Sequence, residues 1–190
     1  MPPPRVADSI PNMPQRPPTG IPREVLEVDW TFFGELCRAL ALRVATAFDP
    51  EIVVGIAKAG VIPGAVVASI LQRDFTSMAV TRSRADVRPT LVTAPPPASV
   101  RGRRVLIVDE TCDSGDTLKL ALATVKELRP AEVRTAVSFR TSGFEPDFFA
   151  LATENAIILP WDREVVIGGE LVMRPDYATW LGRQPVKTSR

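Results

Sequence analysis

The 190-residue sequence contains no histidine and only two cysteines. Without histidine, the sequence excludes serine–histidine hydrolase chemistry and the usual histidine-ligated zinc sites, so any proton transfer falls to carboxylates or lysine. Cys37 lies on the apolar face of a predicted helix, and Cys112 lies in a polar loop. This placement argues against a disulfide framework and favours a reducing compartment, so we expect a cytoplasmic protein.

The sequence also lacks an excess of charge and a long apolar run. Its formal net charge is +1, with 45% hydrophobic and 24% charged residues, which is ordinary for a globular protein. No global field therefore favours nucleic acid, and no window is apolar enough to span a membrane. We expect neither as a partner, and we expect any anion site to be local.

Proline is concentrated at the N-terminus, where residues 1–22 contain eight prolines and few bulky apolar residues. This composition predicts a disordered arm, and no apolar stretch follows Arg5 as a signal peptide would require. The arm is either an unstructured tail or a proline-rich ligand for a partner. The predicted organisation is a disordered proline-rich arm at 1–22 and one folded domain at 23–190.

The chain is organised around residues 105–118. Four apolar residues at 105–108 predict a fully buried strand, and two carboxylates, Asp109 and Glu110, follow it directly. A small polar turn with one glycine then leads into a helix that begins near Thr117. In an open parallel sheet, ligands bind beyond the carboxyl ends of strands, and a helix N-terminus offers unpaired N–H groups to a phosphate. Because paired carboxylates suit two vicinal sugar hydroxyls, the stretch predicts a phosphosugar site.

A second stretch, at 52–71, repeats this design. Residues 52–56 predict a buried strand, and residues 61–71 predict a helix. Between them, a turn at 57–60 consists of small residues and one lysine, Lys58. A strand, a small-residue turn and a helix start form a second anion-binding element of the same kind.

The remaining periodicity predicts an α/β fold. Asp29 is placed to cap a helix from Trp30 to Phe48, and Trp30 is expected in the core. Further segments are strands at 76–81 and 132–139, a helix face at 118–128, and a proline-containing loop at 83–102. The order predicts a single domain with a mostly parallel sheet of about five strands flanked by helices, in which the connections between parallel strands are right-handed.

The stretch 105–118 resembles the 5-phosphoribosyl 1-diphosphate (PRPP) signature of type I phosphoribosyltransferases, an apolar strand, two acids, three residues and then Thr/Ser-Gly-x-Thr. The segments 144–149 and 157–162 resemble the purine subgroup, especially its hypoxanthine and xanthine-guanine members. The resemblance implies a Rossmann-like fold with a small C-terminal hood at about 140–170 that receives the nucleobase. It also implies a lid at 83–102 and a homodimer or homotetramer.

The resemblance implies a role for each residue around the two turns. Asp109 and Glu110 would bind the ribose hydroxyls. The phosphate loop (113–117) would bind the 5-phosphate through Asp113, Ser114, Gly115, Asp116 and Thr117. The diphosphate turn (57–60) would contact the pyrophosphate through Ala57, Lys58, Ala59 and Gly60, with a cis peptide at Ala57–Lys58 and with Arg73 nearby. Asp113 also matches the candidate general base near the ring nitrogen of the purine.

The acceptor side departs from the resembled subgroup. Arg140 stands nearest to a lysine that contacts the exocyclic oxygen, and Ala156 stands where an aromatic residue stacks on the purine. Together with Ile157, these are the expected nucleobase contacts, whereas Trp161 is expected to be structural. The resemblance also implies Mg²⁺, bound mainly through PRPP, with Asp162 as a candidate ligand.

The leading hypothesis is therefore an enzyme that transfers ribose 5-phosphate from PRPP to a nucleobase, with a purine as the expected acceptor, and releases diphosphate. One alternative is a non-catalytic PRPP- or nucleotide-binding regulatory module, suggested by Ala156 and the proline-rich arm. Another alternative keeps the reaction but changes the acceptor to a pyrimidine or a pathway-specific heterocycle.

Overall fold

The structure, a computed structural model, describes residues 24–82, 89–141 and 143–182. The helices are α1 (Trp30–Ala47), α2 (Val61–Leu71), α3 (Pro97–Val100), α4 (Asp116–Glu127) and α5 (Pro175–Trp180). The strands are β1 (Val25–Glu27), β2 (Ile52–Ala57), β3 (Asp74–Arg82), β4 (Pro89–Thr93), β5 (Arg104–Cys112), β6 (Glu132–Arg140), β7 (Phe148–Ala152), β8 (Ala156–Ile158), β9 (Glu164–Ile167) and β10 (Glu170–Met173).

The described residues centre on a six-stranded sheet with the order β4-β3-β2-β5-β6-β7. Five neighbouring strands, β3, β2, β5, β6 and β7, run parallel to one another. The sixth strand, β4, pairs antiparallel with β3 at one edge. β2 and β5 are nearly continuous buried runs, as expected for central strands that are covered on both faces. The predicted α/β class with about five mostly parallel strands is confirmed, because five strands form the parallel part.

Helices cover both faces of this sheet. α1 and α2 pack on one face, and α4 packs on the other. The first face buries a cluster that includes Phe33, Leu40, Val44, Val53 and Leu106. The second face buries a cluster that includes Ile107, Leu118, Val125, Val137 and, from α3, Val100. The two layers hold the strands in place, so that the loops at the strand ends start from fixed positions.

The first helix begins as predicted but does not bury its first residue. Asp29 accepts a hydrogen bond from the Phe32 backbone N–H at 2.7 Å and so caps the helix. The expectation that Trp30 lies in the core is wrong, since its exposed fraction is 58%. The buried stripe of α1 starts only at Phe33. The Trp30 ring lies beside Trp161 instead, with 5.8 Å between ring centroids.

The predicted hood at 140–170 needs correction at its start. β7 pairs in parallel with β6 and forms an edge of the main sheet. Beyond β7, β8 pairs in parallel with β1, and β9 and β10 form an antiparallel hairpin that α5 follows. The sequence pattern misses β1, β4 and α5 because elements of three to six residues carry too little periodicity.

Two predicted segments lie wholly or partly outside the described residues. The proline-rich arm at 1–22 lies outside them, as do residues 83–88 of the predicted lid. The described part of that lid contains β4 and α3. No helix within 24–82, 89–141 or 143–182 combines the length and the apolar character needed to cross a bilayer.

Candidate active site

The predicted site residues follow the ends of neighbouring parallel strands. β2 ends at Ala57, β5 at Cys112 and β6 at Arg140. Cys112 lies opposite Arg140 in the strand register. Since the carboxyl ends of parallel strands meet at one edge of a sheet, the diphosphate turn, the phosphate loop and Arg140 share that edge.

The diphosphate turn packs directly against β5. The peptide bond between Ala57 and Lys58 is cis, as expected from the resemblance. A Cβ atom on Gly60 would lie 2.6 Å from Asp109 Oδ1 and 2.9 Å from Asp109 Cα. The φ of Gly60 is −65°, which any residue can adopt. Glycine is therefore required here by the close approach of Asp109 and not by the backbone conformation. The turn therefore contacts the first of the two predicted ribose-binding acids, while the Lys58 side chain remains exposed.

The two acids of the signature have different surroundings. Asp109 is only 6% exposed, and its Oδ1 accepts the Glu110 backbone N–H at 3.0 Å. Glu110 is half-buried. Asp109 is therefore held against the diphosphate turn, and Glu110 is the more accessible of the two acids.

The phosphate loop turns sharply at Gly115. Its φ of +78° is the left-handed conformation that favours glycine, and a Cβ there would collide with the Phe144 side chain. Ser114 Oγ donates to Asp116 Oδ2 at 2.9 Å. Lys119 Nζ donates to the Ser114 carbonyl at 3.3 Å and lies 3.5 Å from Asp116 Oδ1. Sequence reasoning overlooked Lys119, although its position three residues after Asp116 is the spacing of a helical ion pair.

Asp113, the predicted general base, lies where the loop meets β6. The Thr141 hydroxyl lies 3.1 Å from the Cys112 carbonyl and 3.4 Å from Asp113 Oδ1, so its one hydrogen can be donated to either oxygen. The Thr141 backbone N–H also donates to the Cys112 carbonyl at 2.9 Å. Burial, with the nearby charge of Asp109, raises the pKa of the Cys112 thiol at the end of β5 to about 11, so this cysteine is not a thiolate at neutral pH.

Arg140 lines a cavity of about 560 Å³ beyond the ends of β6 and β7. Its guanidinium NH1 donates to Glu145 Oε1 at 2.8 Å, and its central carbon lies 4.6 Å from the centroid of the Phe149 ring. The other lining residues are Thr141, Gly143, Phe144, Glu145, Ala152, Thr153 and Glu154. Through Thr141, this cavity adjoins Asp113.

The other two predicted nucleobase contacts do not line this cavity. Ala156 and Ile157 lie in β8, where the Ala156 N–H donates to the Glu24 carbonyl at 3.1 Å. Ile157 packs against the core cluster under α1. Trp161 also belongs to that packing, with its ring 4.7 Å from that of Phe33. Trp161 is structural, as predicted.

Asp162 is engaged by side chains of the C-terminal segment. Arg174 NH1 donates to its Oδ1, and the Tyr177 hydroxyl donates to its Oδ2. Burial and the bond to Asp162 raise the pKa of Tyr177 well above its usual value. Because both oxygens of Asp162 have protein partners, its expected role as a metal ligand does not fit this geometry. Nothing in the sequence pattern pointed to Arg174 or Tyr177.

Arg73 lies at the opposite edge of the sheet, so its predicted contact with pyrophosphate in this site is wrong. α2 starts at the site edge and runs for 11 residues, which at 1.5 Å per residue carries the chain about 16 Å away. Arg73 follows that helix and forms an ion pair with Asp49 at 2.8 Å. The hydrogen bond from Arg73 lowers the pKa of Asp49.

Solved structures share this architecture. A purine phosphoribosyltransferase from Pyrococcus horikoshii aligns with a TM-score of 0.68 and 25% identity, over 75% of this chain and 97% of that chain. A xanthine-guanine-hypoxanthine phosphoribosyltransferase from Helicobacter pylori aligns with a TM-score of 0.63 and 17% identity, over 73% and 94%. A Neisseria gonorrhoeae protein with bound ppGpp aligns with a TM-score of 0.61 and 19% identity, over 77% and 92%. The latter two likenesses concern the fold alone. Among curated proteins, no sequence matches this chain.

The family assignment comes from the sequence match. A sequence model described as the phosphoribosyl transferase domain matches residues 30–147, which is more than half of the chain. The matched range contains the diphosphate turn, both signature acids, the phosphate loop and Arg140. Together with the shared fold, this match shows that the chain belongs to the phosphoribosyltransferase family.

Proposed function

We propose that this protein transfers the 5-phosphoribosyl group of PRPP to a ring nitrogen of a purine and releases diphosphate. The observation that carries the proposal is the contact between the diphosphate turn and β5, through Gly60 and Asp109. This contact joins two anion-binding turns at one sheet edge, and PRPP has a phosphate group at each end of its sugar. Enzymes of this family bind PRPP and a nucleobase.

The residues of the two turns fit the donor. In this proposal Asp109 and Glu110 accept hydrogen bonds from the ribose hydroxyls, and Lys58 approaches the diphosphate. Ser114 and Thr117, with the backbone N–H groups at the start of α4, bind the 5-phosphate. Four acids stand between residues 109 and 116, so the negative charge of PRPP has to be balanced by the helix N-terminus, by Lys119 and by a cation.

Mg²⁺ is the cation that this family generally uses with PRPP. No group of three acidic or thiol side chains within the described residues could hold a metal alone. The two signature acids, Asp109 and Glu110, fit a Mg²⁺ ion that is held chiefly by the diphosphate and the sugar hydroxyls of PRPP. When bound there, Mg²⁺ would neutralise charge on the departing diphosphate.

Asp113 is the proposed general base. In the reaction the bond between C1 of the ribose and the diphosphate oxygen breaks, and a bond from C1 to the purine nitrogen forms. The proton of that nitrogen passes to Asp113, which begins the phosphate loop and lies beside the cavity that Arg140 lines. The Thr141 hydroxyl, 3.4 Å from Asp113 Oδ1, orients this carboxylate.

The purine acceptor is supported by the structural relatives and by Arg140. Arginine donates well to a carbonyl oxygen and a neighbouring ring nitrogen. In this proposal a base bound in the cavity makes no contact with Ala156, which lies in β8 and does not line the cavity.

Diphosphate release tests the proposal. The protein is incubated with PRPP, Mg²⁺ and, separately, hypoxanthine, guanine, xanthine and adenine, and PRPP binding is measured in parallel by calorimetry. We expect turnover with at least one oxopurine. Asp113→Asn should lower kcat by about 10²- to 10⁴-fold with PRPP binding retained. Glu35→Gln, which removes a surface carboxylate of α1, is the control. PRPP binding with no turnover of any base would instead indicate a regulatory module.

We also propose a homodimer or homotetramer in the cytoplasm. α2 contains no charged residue, its Val66 and Ile70 are exposed, and Phe75 near the start of β3 is exposed as well. Such an apolar surface suits contact with a second copy. Light scattering of the purified protein tests this, and a monomer at micromolar concentration would contradict it. The two free, buried thiols fit a reducing compartment.

A further inference from the structure

Arg140, Glu145 and Phe149 form a cluster beside the cavity proposed for the base. The proposed reaction gives a role to Arg140 but none to Glu145 or Phe149. Building on the proposed function, we propose that Glu145 and Phe149 are positioning residues for Arg140. We further propose that the Arg140–Glu145 pair makes the site selective for uncharged oxopurines, such as hypoxanthine and guanine, over xanthine.

The geometry fixes the guanidinium from two directions. The central carbon of the Arg140 guanidinium lies over the Phe149 ring, 4.6 Å from its centroid. Glu145 accepts from NH1 at 2.8 Å, at an edge of the same group. Arginine carries five N–H donors, so donors remain for a ligand after this bond. In protein–DNA complexes the same group binds O6 and N7 of guanine as a pair, and an oxopurine offers the same two acceptors.

The charges of the cavity lining favour a neutral ligand. Of the lining residues, Arg140 is positive and Glu145 and Glu154 are negative, so the positive charge is fully compensated. A neutral oxopurine offers a carbonyl to the guanidinium and N–H groups to the carboxylates. Xanthine is the most acidic of these bases, and its anion would meet uncompensated carboxylate charge.

The same strand provides a matched control at its other end. Arg134 Nε lies 2.8 Å from Glu132 Oε1, and the Arg134 guanidinium carbon lies 5.5 Å from the Phe48 ring centroid. Arginine, glutamate and phenylalanine thus combine in both places, but Glu132 begins β6 and Arg140 ends it. Substitutions at Glu132 and Phe48 remove the same kinds of contact without reaching the cavity.

The experiment compares full-length Glu145→Gln and Phe149→Leu with Glu132→Gln and Phe48→Leu. At saturating PRPP and Mg²⁺, kcat and KM are measured for hypoxanthine, guanine and xanthine. We expect Glu145→Gln to raise the ratio of kcat/KM for xanthine over hypoxanthine about three- to fivefold, because one carboxylate charge near the base is lost and that side chain, 75% exposed, is partly screened by water. We expect Phe149→Leu to raise KM for each base several-fold with little change in kcat. The control variants should keep the wild-type ratio and KM values.

Product binding provides a second readout that needs no turnover. Calorimetry measures the affinities for the nucleotides of hypoxanthine and of xanthine, and Glu145→Gln should shift their ratio in the same direction. If Glu145→Gln and Glu132→Gln give the same ratios, the inference is overturned, while wild-type turnover still supports the proposed function. If the wild type binds PRPP without turning over any base, the proposed function fails, and the nucleotide affinities still decide the role of Glu145.

Discussion

Gly60→Ala is the substitution that tests most directly how the diphosphate turn and the ribose-binding acid are joined. The added Cβ would lie 2.6 Å from Asp109 Oδ1, 2.7 Å from the Ile56 carbonyl oxygen and 2.9 Å from Asp109 Cα. Two of these three atoms belong to the backbone and cannot rotate away. The backbone at Gly60 is right-handed, so alanine adds a steric conflict without a conformational one.

The size of the effect follows from the displacement. Ordinary van der Waals contact begins at 3.4 Å, so the turn has to withdraw from Asp109 by about 0.8 Å. A shift of about 1 Å at a catalytic site can cost about 100-fold in rate. We therefore expect kcat/KM for PRPP to fall about 100-fold. Overpacking of this kind should also lower the free energy of unfolding by about 1–3 kcal/mol.

The assay measures PRPP affinity by calorimetry, kcat/KM by diphosphate release and stability by urea denaturation. Gly34→Ala is the control, because it adds the same methyl group in α1 with no atom within 4 Å. In a helix interior this change should stabilise the protein by about 0.5–1 kcal/mol and leave PRPP binding unchanged. Wild-type PRPP affinity and turnover in Gly60→Ala would refute the idea that the Gly60–Asp109 contact sets the site.

The remaining predictions concern charge, metal binding and thiol chemistry. Lys119→Met should raise KM for PRPP about three- to tenfold and weaken its dependence on salt, whereas Lys126→Met, in the last turn of the same helix, should change neither. Asp162→Asn should lower the free energy of unfolding by about 1–3 kcal/mol, since two donors lose a charged acceptor; a changed Mg²⁺ requirement would show that Asp162 is a metal ligand after all. Burial raises the pKa of the Cys37 and Cys112 thiols to about 11, so both should resist iodoacetamide at neutral pH until the protein is unfolded. Because the unfolded thiols ionise near pH 9 and the folded ones do not, the melting temperature should fall as the pH rises from about 9 to 11.

Features that depend on neighbouring residues were predictable from the sequence. The helix from Val61 to Leu71 follows from apolar composition and flanking turns, and the strand at 105–108 follows from an uninterrupted apolar run. The cis bond at Ala57–Lys58 was expected from the family resemblance. These features are local, so the chain around each of them carries the full signal.

Features that depend on distant parts of the chain were not predictable. β1 has three residues, and its partner β8 follows about 130 residues later. Arg73 was assigned by its spacing in sequence, although the length of the preceding helix placed it at the far edge. The exposure of Trp30 is decided by where the core ends and not by helical periodicity. The partners of Asp162 come from α5, a six-residue helix too short to show a pattern.

The pairing of β1 with β8 has a consequence for the order in which the protein folds. During synthesis, residues 25–27 emerge early, but their partner strand emerges only when residues 156–158 have been made. The sheet from β2 to β6 can assemble before then, because its strands lie closer together in sequence. The PRPP side of the protein should therefore form on the ribosome first. The β1–β8 pair can form only after residues 156–158 have emerged from the ribosome.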